Sequence, residues 1–297
     1  MHSPPPIDEY TLERRAIRRA FDRASATYAQ AAVVQAEIRA RLLERLDLVK
    51  LQPQRVLDLG AASGGSSKAL KNRYPKAHVV ALDLSRRMLE RATREQSFFR
   101  RFDAVVADAQ QLPIREASID LVFSNLMLAW CSDVDAVFQN AARVLRADGL
   151  FTFTTLGPDT LTEVRRAFRQ VDAYTHVHRF IDMHDLGDAL LRTGFAEPVM
   201  DTERLVVTYP TADTLLRELH QSGSSNLTAG RRFGLLGRKG YRAAQEALEA
   251  SRREGVIPIT VEVVYGHAWK GAPRAARGST GEVVVPLSSL RPLTRKI

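Results

Sequence analysis

The feature that most constrains the fold is an alternation of short apolar runs with longer helical patterns across residues 55–156. The apolar runs, rich in β-branched residues, are predicted as strands at residues 55–59, 78–82, 104–107, 119–124 and 150–156. Helical patterns lie between them near residues 66–74, 85–96 and 133–145, and Ser85 and Asp133 are predicted N-caps. Such strand–helix–strand units build a parallel sheet with helices on both faces. The sequence therefore predicts an α/β, doubly wound fold.

The flanking segments complete this fold. Residues 11–49 carry one or two amphipathic helical patterns and are expected to cover the carboxyl edge of the sheet, so that residues 1–49 form a helical lid. After the fifth strand, helices are predicted near residues 159–170, 183–193, 211–220 and 240–253. Two strand-like runs, residues 204–209 and 260–265, are expected to close the sheet as an antiparallel pair around a helical insertion at about 211–256. We expect one domain over residues 50–270, followed by a basic, flexible tail at 271–297.

Composition and charge restrict the cellular compartment and the kinds of partner that we expect. The chain has 297 residues and a single cysteine, Cys131, so it can form no internal disulfide and no multi-cysteine metal site. No apolar run is long enough to span a bilayer, and we expect a cytoplasmic protein. Residues 222–297 hold 13 Lys and Arg against 5 Asp and Glu, which is nearly all of the net charge of +9. This excess indicates an acidic partner, such as nucleic acid, an anionic lipid surface or an acidic protein, or else a solvated basic surface.

The strongest local signal is VLDLGAASGGSSKAL at residues 56–70, which contains Asp58, Gly60, Ala62 and Gly64. It is a strand, a turn of small residues and the start of a helix. Small residues let the backbone approach a ligand, and the first turn of the helix presents unpaired N–H groups. The alternative is a tight structural turn.

Two further acidic residues favour a ligand site over a structural turn. Asp83, followed by Leu84, ends the second strand and can accept hydrogen bonds from both hydroxyls of a ribose. Asp108 and Ala109 follow the third strand, where a carboxylate can receive an exocyclic amine beside a flat adenine ring. Each acid alone would be a cap or loop residue. Together, at the ends of three consecutive strands, they predict an adenosine pocket.

Residues 50–156 thus resemble the class I S-adenosylmethionine-dependent methyltransferases, apart from Ala62, which stands where that superfamily usually has glycine. The resemblance implies a seven-stranded, mostly parallel Rossmann-like sheet and S-adenosylmethionine as cofactor. Its predicted binding residues are Asp58, Gly60, Ala62, Gly64, Asp83, Leu84, Asp108, Ala109 and Asn125.

A narrower resemblance runs from about residue 14 to residue 269. It rests on FDRASATYAQAA (21–32), SNLMLAWCSD (124–133), FTTLGPDTLTEVR (153–165), HVHRFIDMHDLGDALLRTGF (176–195) and EVVYGHAW (262–269). These segments are similar to the malonyl-acyl-carrier-protein O-methyltransferase family of biotin synthesis. The resemblance implies methylation of the free carboxylate of a malonyl thioester, which would prime pimeloyl synthesis. Acyl carrier protein is then the expected partner, malonyl-coenzyme A is a further candidate substrate, and a nucleic-acid partner is not expected.

The mechanism implied for such a substrate needs no general base, because its carboxylate is ionised at neutral pH. It does need a group to hold that carboxylate, and an arginine offers two parallel N–H bonds. Arg179, with His178 beside it, is our candidate; the alternative is a surface ion pair between Arg179 and Asp182. Tyr28 resembles a lid residue, although it can equally pack against Phe21.

Other candidates are weaker. Asn125 and Leu126 are expected to face the cofactor or substrate, and Trp130 is expected in the core or the pocket wall. The spacing of His176, His178 and His184 does not indicate a metal site.

A basic cluster could steer an acidic carrier protein; its members are Arg231, Arg232, Arg238, Lys239 and Arg242. Three other functions stay open at this stage. They are hydroxylation of a protein arginine, as in a related complex I assembly factor, methylation of RNA, and a degenerate cofactor-binding protein.

Overall fold

The computed structural model describes residues 11–232, 234 and 236–271. The strands are β1 (Arg55–Leu59), β2 (His78–Asp83), β3 (Asp103–Val106), β4 (Ile119–Asn125), β5 (Leu145–Leu156), β6 (Phe195–Tyr209) and β7 (Ile257–Lys270). The helices are α1 (Arg14–Ala24), α2 (Tyr28–Ala31), α3 (Val33–Arg45), α4 (Gly65–Arg73), α5 (Arg86–Arg94), α6 (Val134–Val144), α7 (Thr162–Arg169), α8 (Met183–Arg192), α9 (Ala212–Gln221) and α10 (Gly237–Glu249). Residues 1–10 and the predicted tail beyond Gly271 lie outside the described residues.

The seven strands form one sheet in the order β3-β2-β1-β4-β5-β7-β6. The first five strands pair in parallel, whereas β7 runs antiparallel to both β5 and β6. The predicted α/β fold with a mostly parallel seven-stranded sheet is therefore confirmed.

The closing pair is much longer than the sequence indicated. β6 and β7 stay paired from Phe195 opposite Lys270 to Tyr209 opposite Ile257. The expectation of short strands at 204–209 and 260–265 was wrong in extent. The reason for the difference is that β6 buries few of its side chains. Charged residues such as Asp201 and Glu203 therefore interrupt the apolar pattern of the sequence, while the backbone pairing of β6 with β7 continues.

The sheet is covered on both faces, as a doubly wound fold requires. One face packs on α6 and α8 through an aromatic cluster that includes Phe138, Phe151 and Phe153. The other face packs on α3 and α4, where Leu121 and Phe123 of β4 are fully buried. Alternate residues of β4 therefore supply opposite cores, which places the carboxyl ends of the parallel strands at one fixed edge.

Helix starts and the N-terminal helices position that edge. The predicted N-caps are confirmed: Ser85 Oγ accepts from the Met88 N–H at 3.2 Å, and Asp133 Oδ1 accepts from the Ala136 N–H at 2.8 Å. Helix α3 packs on β4 and β5, and helices α9 and α10 lie between β6 and β7 in sequence and pack beside α7 and each other. In the described part of the chain, no helix has the length and apolarity needed to cross a membrane.

Candidate active site

The turn after β1 has the conformation that its small residues allow. Gly60 and Gly64 have φ angles of +84° and +81°, and Ala62 lies between them at +44°. A Cβ at Gly60 would stand 2.4 Å from the Cβ of Met127, so only glycine fits there. The turn is held against β2, because the N–H groups of Gly60 and Ala61 donate to the Leu82 carbonyl at 2.8 and 3.0 Å.

Asp83 fixes the turn from the end of β2. Its Oδ2 accepts from the Ala62 N–H and its Oδ1 from the Ser85 N–H, both at 2.8 Å. Burial, opposed by these hydrogen bonds, raises the pKa of Asp83 to about 6. Ala62 thus fits its left-handed position through its backbone, and its methyl group does not prevent the turn from forming.

Asp108 occupies the corresponding place after β3. It accepts from the Gln110 N–H at 2.9 Å and pairs with Arg14 of α1 at 2.7 Å. Helix α1 therefore reaches across the strand ends, as the predicted N-terminal lid requires. Arg14 had no recognisable signal in the sequence because the pair joins residues 94 positions apart.

A cavity of about 130 Å³, which we call the sheet-edge cavity, lies between these strand ends and the N-terminal helices. It brings together eight of the predicted residues: Tyr28, Gly60, Ala62, Asp83, Leu84, Asp108, Ala109 and Asn125. Gly64 and Asp58 are not in its lining. Gly64 instead precedes the first residue of α4, and Asp58 is buried beneath the turn.

Asp58 is an unusual buried acid. Its Oδ2 accepts from the Ser67 hydroxyl at 2.5 Å, but its buried Oδ1 has no hydrogen-bond partner among the described residues. Burial raises its pKa to about 7, with Ser67 and Arg39 lowering it and Asp83 raising it. A buried carboxylate oxygen without a described partner, close enough to Asp83 for the two charges to interact, fits a bound group that supplies a hydrogen-bond donor or a positive charge.

A second cavity, the outer cavity, measures about 560 Å³ and is enclosed by α3, α7, α9, α10 and β7. Most of its walls are apolar, with Val164, Phe168, Val177 and Tyr241 among them. It shares six lining residues with the sheet-edge cavity, which we call the shared wall: Gln35, Leu126, Trp130, Leu156, Ser222 and Ser224. The two cavities are therefore neighbours across a few side chains.

The predicted substrate residues divide between these cavities and the surface. His178 lines the outer cavity, packs against the rings of Trp130 and Phe180, and lies 3.2 Å from the Ala129 carbonyl through Nε2. Burial lowers its pKa to about 4, so it is neutral at pH 7 and supplies no charge.

Arg179, the next residue, lines neither of these two cavities. It is exposed and lines a depression on the far side of α7, with Arg165, Arg166 and Arg169. It also lines a small cavity that shares Leu12, Cys131 and Ser132 with the sheet-edge cavity. The structure therefore does not bring Arg179 to either wall of the two adjoining cavities. Sequence proximity to His178 misled here, because neighbouring residues in an extended segment face opposite sides.

His176 and His184 have different acidic partners. His176 lies 2.7 Å from Asp172 and His184 lies 2.7 Å from Asp182. No group of three or more potential metal ligands is found in residues 11–232, 234 and 236–271.

Comparison with known proteins decides the family. Residues 57–153 match the model of a methyltransferase domain. A malonyl-acyl-carrier-protein O-methyltransferase from Methylovorus sp. strain MP688 is 48% identical over 275 residues, covering 91% of this chain and 93% of that protein. One of the same name from Gallionella capsiferriformans strain ES-2 is 45% identical, covering 91% and 96%. The chain belongs to the malonyl-acyl-carrier-protein O-methyltransferase family.

The solved structures agree on the fold of this methyltransferase. The YcgJ protein of Bacillus subtilis superposes with a TM-score of 0.57 at 17% identity, covering 78% of this chain and 98% of that one. The predicted family, fold and enzyme class are therefore confirmed. Family membership favours O-methyl transfer over the arginine hydroxylase, RNA methyltransferase and non-enzymatic alternatives.

Several residues of the shared wall had no signal in the sequence. Gln35, Ser222 and Ser224 reach the shared wall from α3 and from the end of α9. Periodicity identified both helices but not which polar residue would face inward, because that depends on how the helices dock on the sheet.

Proposed function

We propose that this chain transfers the methyl group of S-adenosylmethionine to the free carboxylate of a malonyl thioester carried by acyl carrier protein. The product is the malonyl methyl ester that primes pimeloyl synthesis for biotin. The observation that carries the proposal is the pairing of two cavities across the shared wall. One cavity is lined by strand-end residues with the chemistry of an adenosine site, and the other is a larger, mostly apolar space.

The residues of the sheet-edge cavity fit the cofactor. Asp83 would accept from the ribose hydroxyls, and Asp108 beside Ala109 would receive the adenine amine. The buried, unpaired Oδ1 of Asp58 suits the ammonium group of the methionine part. When bound, S-adenosylmethionine supplies a methyl carbon activated by its positively charged sulfur.

Tyr28 would close this site from α2. Its side chain lines the sheet-edge cavity and its ring lies edge-on to Phe21, with centroids 6.4 Å apart. Burial and the nearby Asp83 charge raise its pKa to about 12, so it stays protonated and acts as a neutral cover or hydrogen-bond donor. Lid and packing roles are therefore compatible.

The reaction needs no general base from the protein. The malonyl carboxylate is ionised at neutral pH, so its oxygen would bond to the methyl carbon as the carbon–sulfur bond of the donor breaks. The electron pair of that bond would stay on sulfur and leave neutral S-adenosylhomocysteine, and no proton is transferred. What this chain contributes is alignment and the exclusion of water, which the apolar walls of the outer cavity support.

The carrier protein is expected at the exposed end of the outer cavity. Arg238, Lys239 and Arg242 of α10 are exposed beside Tyr241, which lines that cavity. Arg231 and Arg232, also predicted for docking, instead pair with Glu13 and Asp172. An acidic carrier protein would be attracted to the α10 cations in a salt-dependent manner. This partner and chemistry are consistent with a cytoplasmic enzyme.

The experiment that tests the function is mass spectrometry of malonyl-acyl carrier protein after incubation with the purified protein and S-adenosylmethionine. We expect the mass of one added methyl group, which an esterase removes. No added mass from a protein that still binds the cofactor would contradict the proposed acceptor.

Docking is tested with the triple variant Arg238→Glu, Lys239→Glu, Arg242→Glu. The KM for malonyl-acyl carrier protein should rise, whereas the KM for a small, uncharged-carrier thioester such as malonyl-N-acetylcysteamine should not. Arg253→Glu, on the segment beyond α10, is the matched charge-reversal control. Equal effects on both substrates would contradict docking at α10.

A further inference from the structure

The shared wall is the place where a substrate carboxylate in the outer cavity would meet the methyl donor in the sheet-edge cavity. Its members with hydrogen-bond donors are Gln35, Trp130, Ser222 and Ser224, and all four are neutral. The other two members, Leu126 and Leu156, are apolar. The junction thus offers donors without a formal positive charge.

Gln35 is held in place by a relay from the sheet. The Asn125 amide donates from Nδ2 to the Gln35 carbonyl at 3.0 Å, and the Thr154 hydroxyl donates to Asn125 Oδ1 at 2.9 Å. Both Asn125 contacts are internal, so its direct contribution is to fix α3 against β4. The Gln35 side-chain amide makes no hydrogen bond to another described residue, and it lines both cavities.

Trp130 is fixed by its ring. It packs edge-on to Phe21 with centroids 5.2 Å apart and tilted against His178, also at 5.2 Å. Within the described chain its indole N–H has no hydrogen-bond acceptor, although a largely buried indole usually finds one. Ser222 and Ser224 complete the set, with their hydroxyl oxygens 3.0 Å apart.

The arginines around these donors pair with other residues or lie outside both cavity linings. Arg39, one turn beyond Gln35 on α3, lies against Gly65 and near Tyr28 and Asp58, and it lines neither cavity. Among the described lining residues, Arg14 pairs with Asp108 at 2.7 Å and Arg217 pairs with Asp213, while the His176 ring lies 2.7 Å from Asp172. His220 lies at the exposed end of the outer cavity and is not part of the shared wall. Arg179 lines the depression beyond α7.

The chemistry favours such a neutral site. Negative charge on the carboxylate and positive charge on the donor sulfur both diminish in the transition state. A protein cation bound to the carboxylate would stabilise the ground state more than the transition state, which slows the transfer. Neutral donors in an apolar wall orient the oxygen while leaving its charge available for the reaction.

We infer that the Gln35 amide and the Trp130 indole N–H, assisted by Ser224, bind the free carboxylate of the malonyl group without a protein cation. The inference rests on the proposed function and assigns its carboxylate-binding residues. It replaces Arg179 by donors that the structure places at the junction. Asn125 becomes a positioning residue that acts through Gln35.

The test compares variants that remove one donor each. Gln35→Met keeps the length of the side chain, and Trp130→Phe keeps an aromatic ring. Because hydrogen bonds to charged groups are worth more than neutral ones, each variant should lower kcat/KM for the malonyl thioester by about 10- to 100-fold. The matched controls are Gln30→Met, on an exposed side chain of α2, and Trp269→Phe on β7; neither residue lines the two cavities.

A binding measurement separates this role from a structural one. Calorimetry should show that Gln35→Met and Trp130→Phe weaken binding of the malonyl thioester far more than binding of S-adenosylhomocysteine, although both residues also line the sheet-edge cavity. Gln35→Glu should weaken thioester binding further by repulsion between carboxylates. Weaker binding of propionyl thioester, which lacks the carboxylate, is not expected in any of these variants.

The outcomes are decisive. Arg179→Gln should leave thioester binding unchanged, and His220→Gln should weaken it less than Gln35→Met does. If either of them abolishes it while Gln35→Met and Trp130→Phe retain it, a cation holds the carboxylate and the inference is overturned. If the parent itself forms no methyl ester from any malonyl thioester, the proposed function fails independently of these residues.

Discussion

Asp58→Asn tests the physical state of the buried acid beneath the glycine turn. The carboxylate is fully buried, accepts from Ser67 through one oxygen and leaves the other without a described partner. Burial raises its pKa from 3.8 to about 7. The cofactor-free protein therefore keeps a proton on Asp58 under conditions in which the unfolded chain releases it.

This difference makes stability depend on pH in a defined direction. The protonated Asp58 carboxyl contributes to the stability of the folded state. This contribution is fully present below pH 3.8 and is lost as the pH rises through about 7. The full loss corresponds to about 4 kcal/mol, of which about 2 kcal/mol falls between about pH 5.5 and pH 8.5. Asparagine carries no charge at any pH and escapes the loss. The stability of Asp58→Asn relative to the parent should therefore rise by about 2 kcal/mol across that interval.

The assay is urea unfolding of the cofactor-free protein, followed by circular dichroism at both pH values. Asp188→Asn, on the exposed face of α8, makes the same chemical change outside the core and serves as control. A difference between Asp58→Asn and the parent that stays constant with pH would refute the reasoning. So would an equal pH dependence in the Asp188 control.

Three further predictions concern the same region. Gly60→Ala should destabilise the protein by about 2 kcal/mol or more in urea unfolding, because its Cβ would collide with Met127 at a positive φ. The control Gly187→Ala, in α8, should stabilise the protein by about 0.5–1 kcal/mol. Stabilisation by Gly60→Ala would contradict this reasoning. Ala62→Gly should change the free energy of unfolding by less than about 1 kcal/mol, because relief of the left-handed strain opposes the added entropy of the unfolded chain. Calorimetry of the same variant should show little change in its affinity for S-adenosylhomocysteine. Desolvation raises the pKa of the half-buried Cys131 thiol to about 12, so the thiol should react slowly with Ellman's reagent at pH 8 in the folded protein and rapidly after unfolding; fast reaction of the folded form would contradict the raised pKa.

Local pattern was sufficient for β1, β2 and β4, but it missed the start of β5, which begins at Leu145 and not at residue 150. The strands β1, β2 and β4 are buried on both faces and read as continuous apolar runs, so their positions could be predicted within a residue or so. β6 is mostly solvated and its ladder is held by backbone pairing, so its sequence pattern ended long before its hydrogen bonds did.

The strand-end acids follow the same logic. Asp83 and Asp108 could be placed at one edge because parallel strands must end together, and that edge lines the sheet-edge cavity. Asp58 was expected to bind the cofactor directly. The structure buries it outside the cavity lining and leaves its Oδ1 without a described partner.

By itself the sequence determined the fold class, the family and the adenosine-type edge, because each depends on local periodicity and on residues adjacent to strand ends. Only the tertiary structure decided which side chains face the junction of the two cavities. Gln35 and Ser224 come from helices far apart in the chain, and their meeting depends on how those helices dock. Arg179 lies one residue from His178 yet faces a different surface, because the direction of a side chain is set by the local backbone and its packing, which residue type alone does not specify.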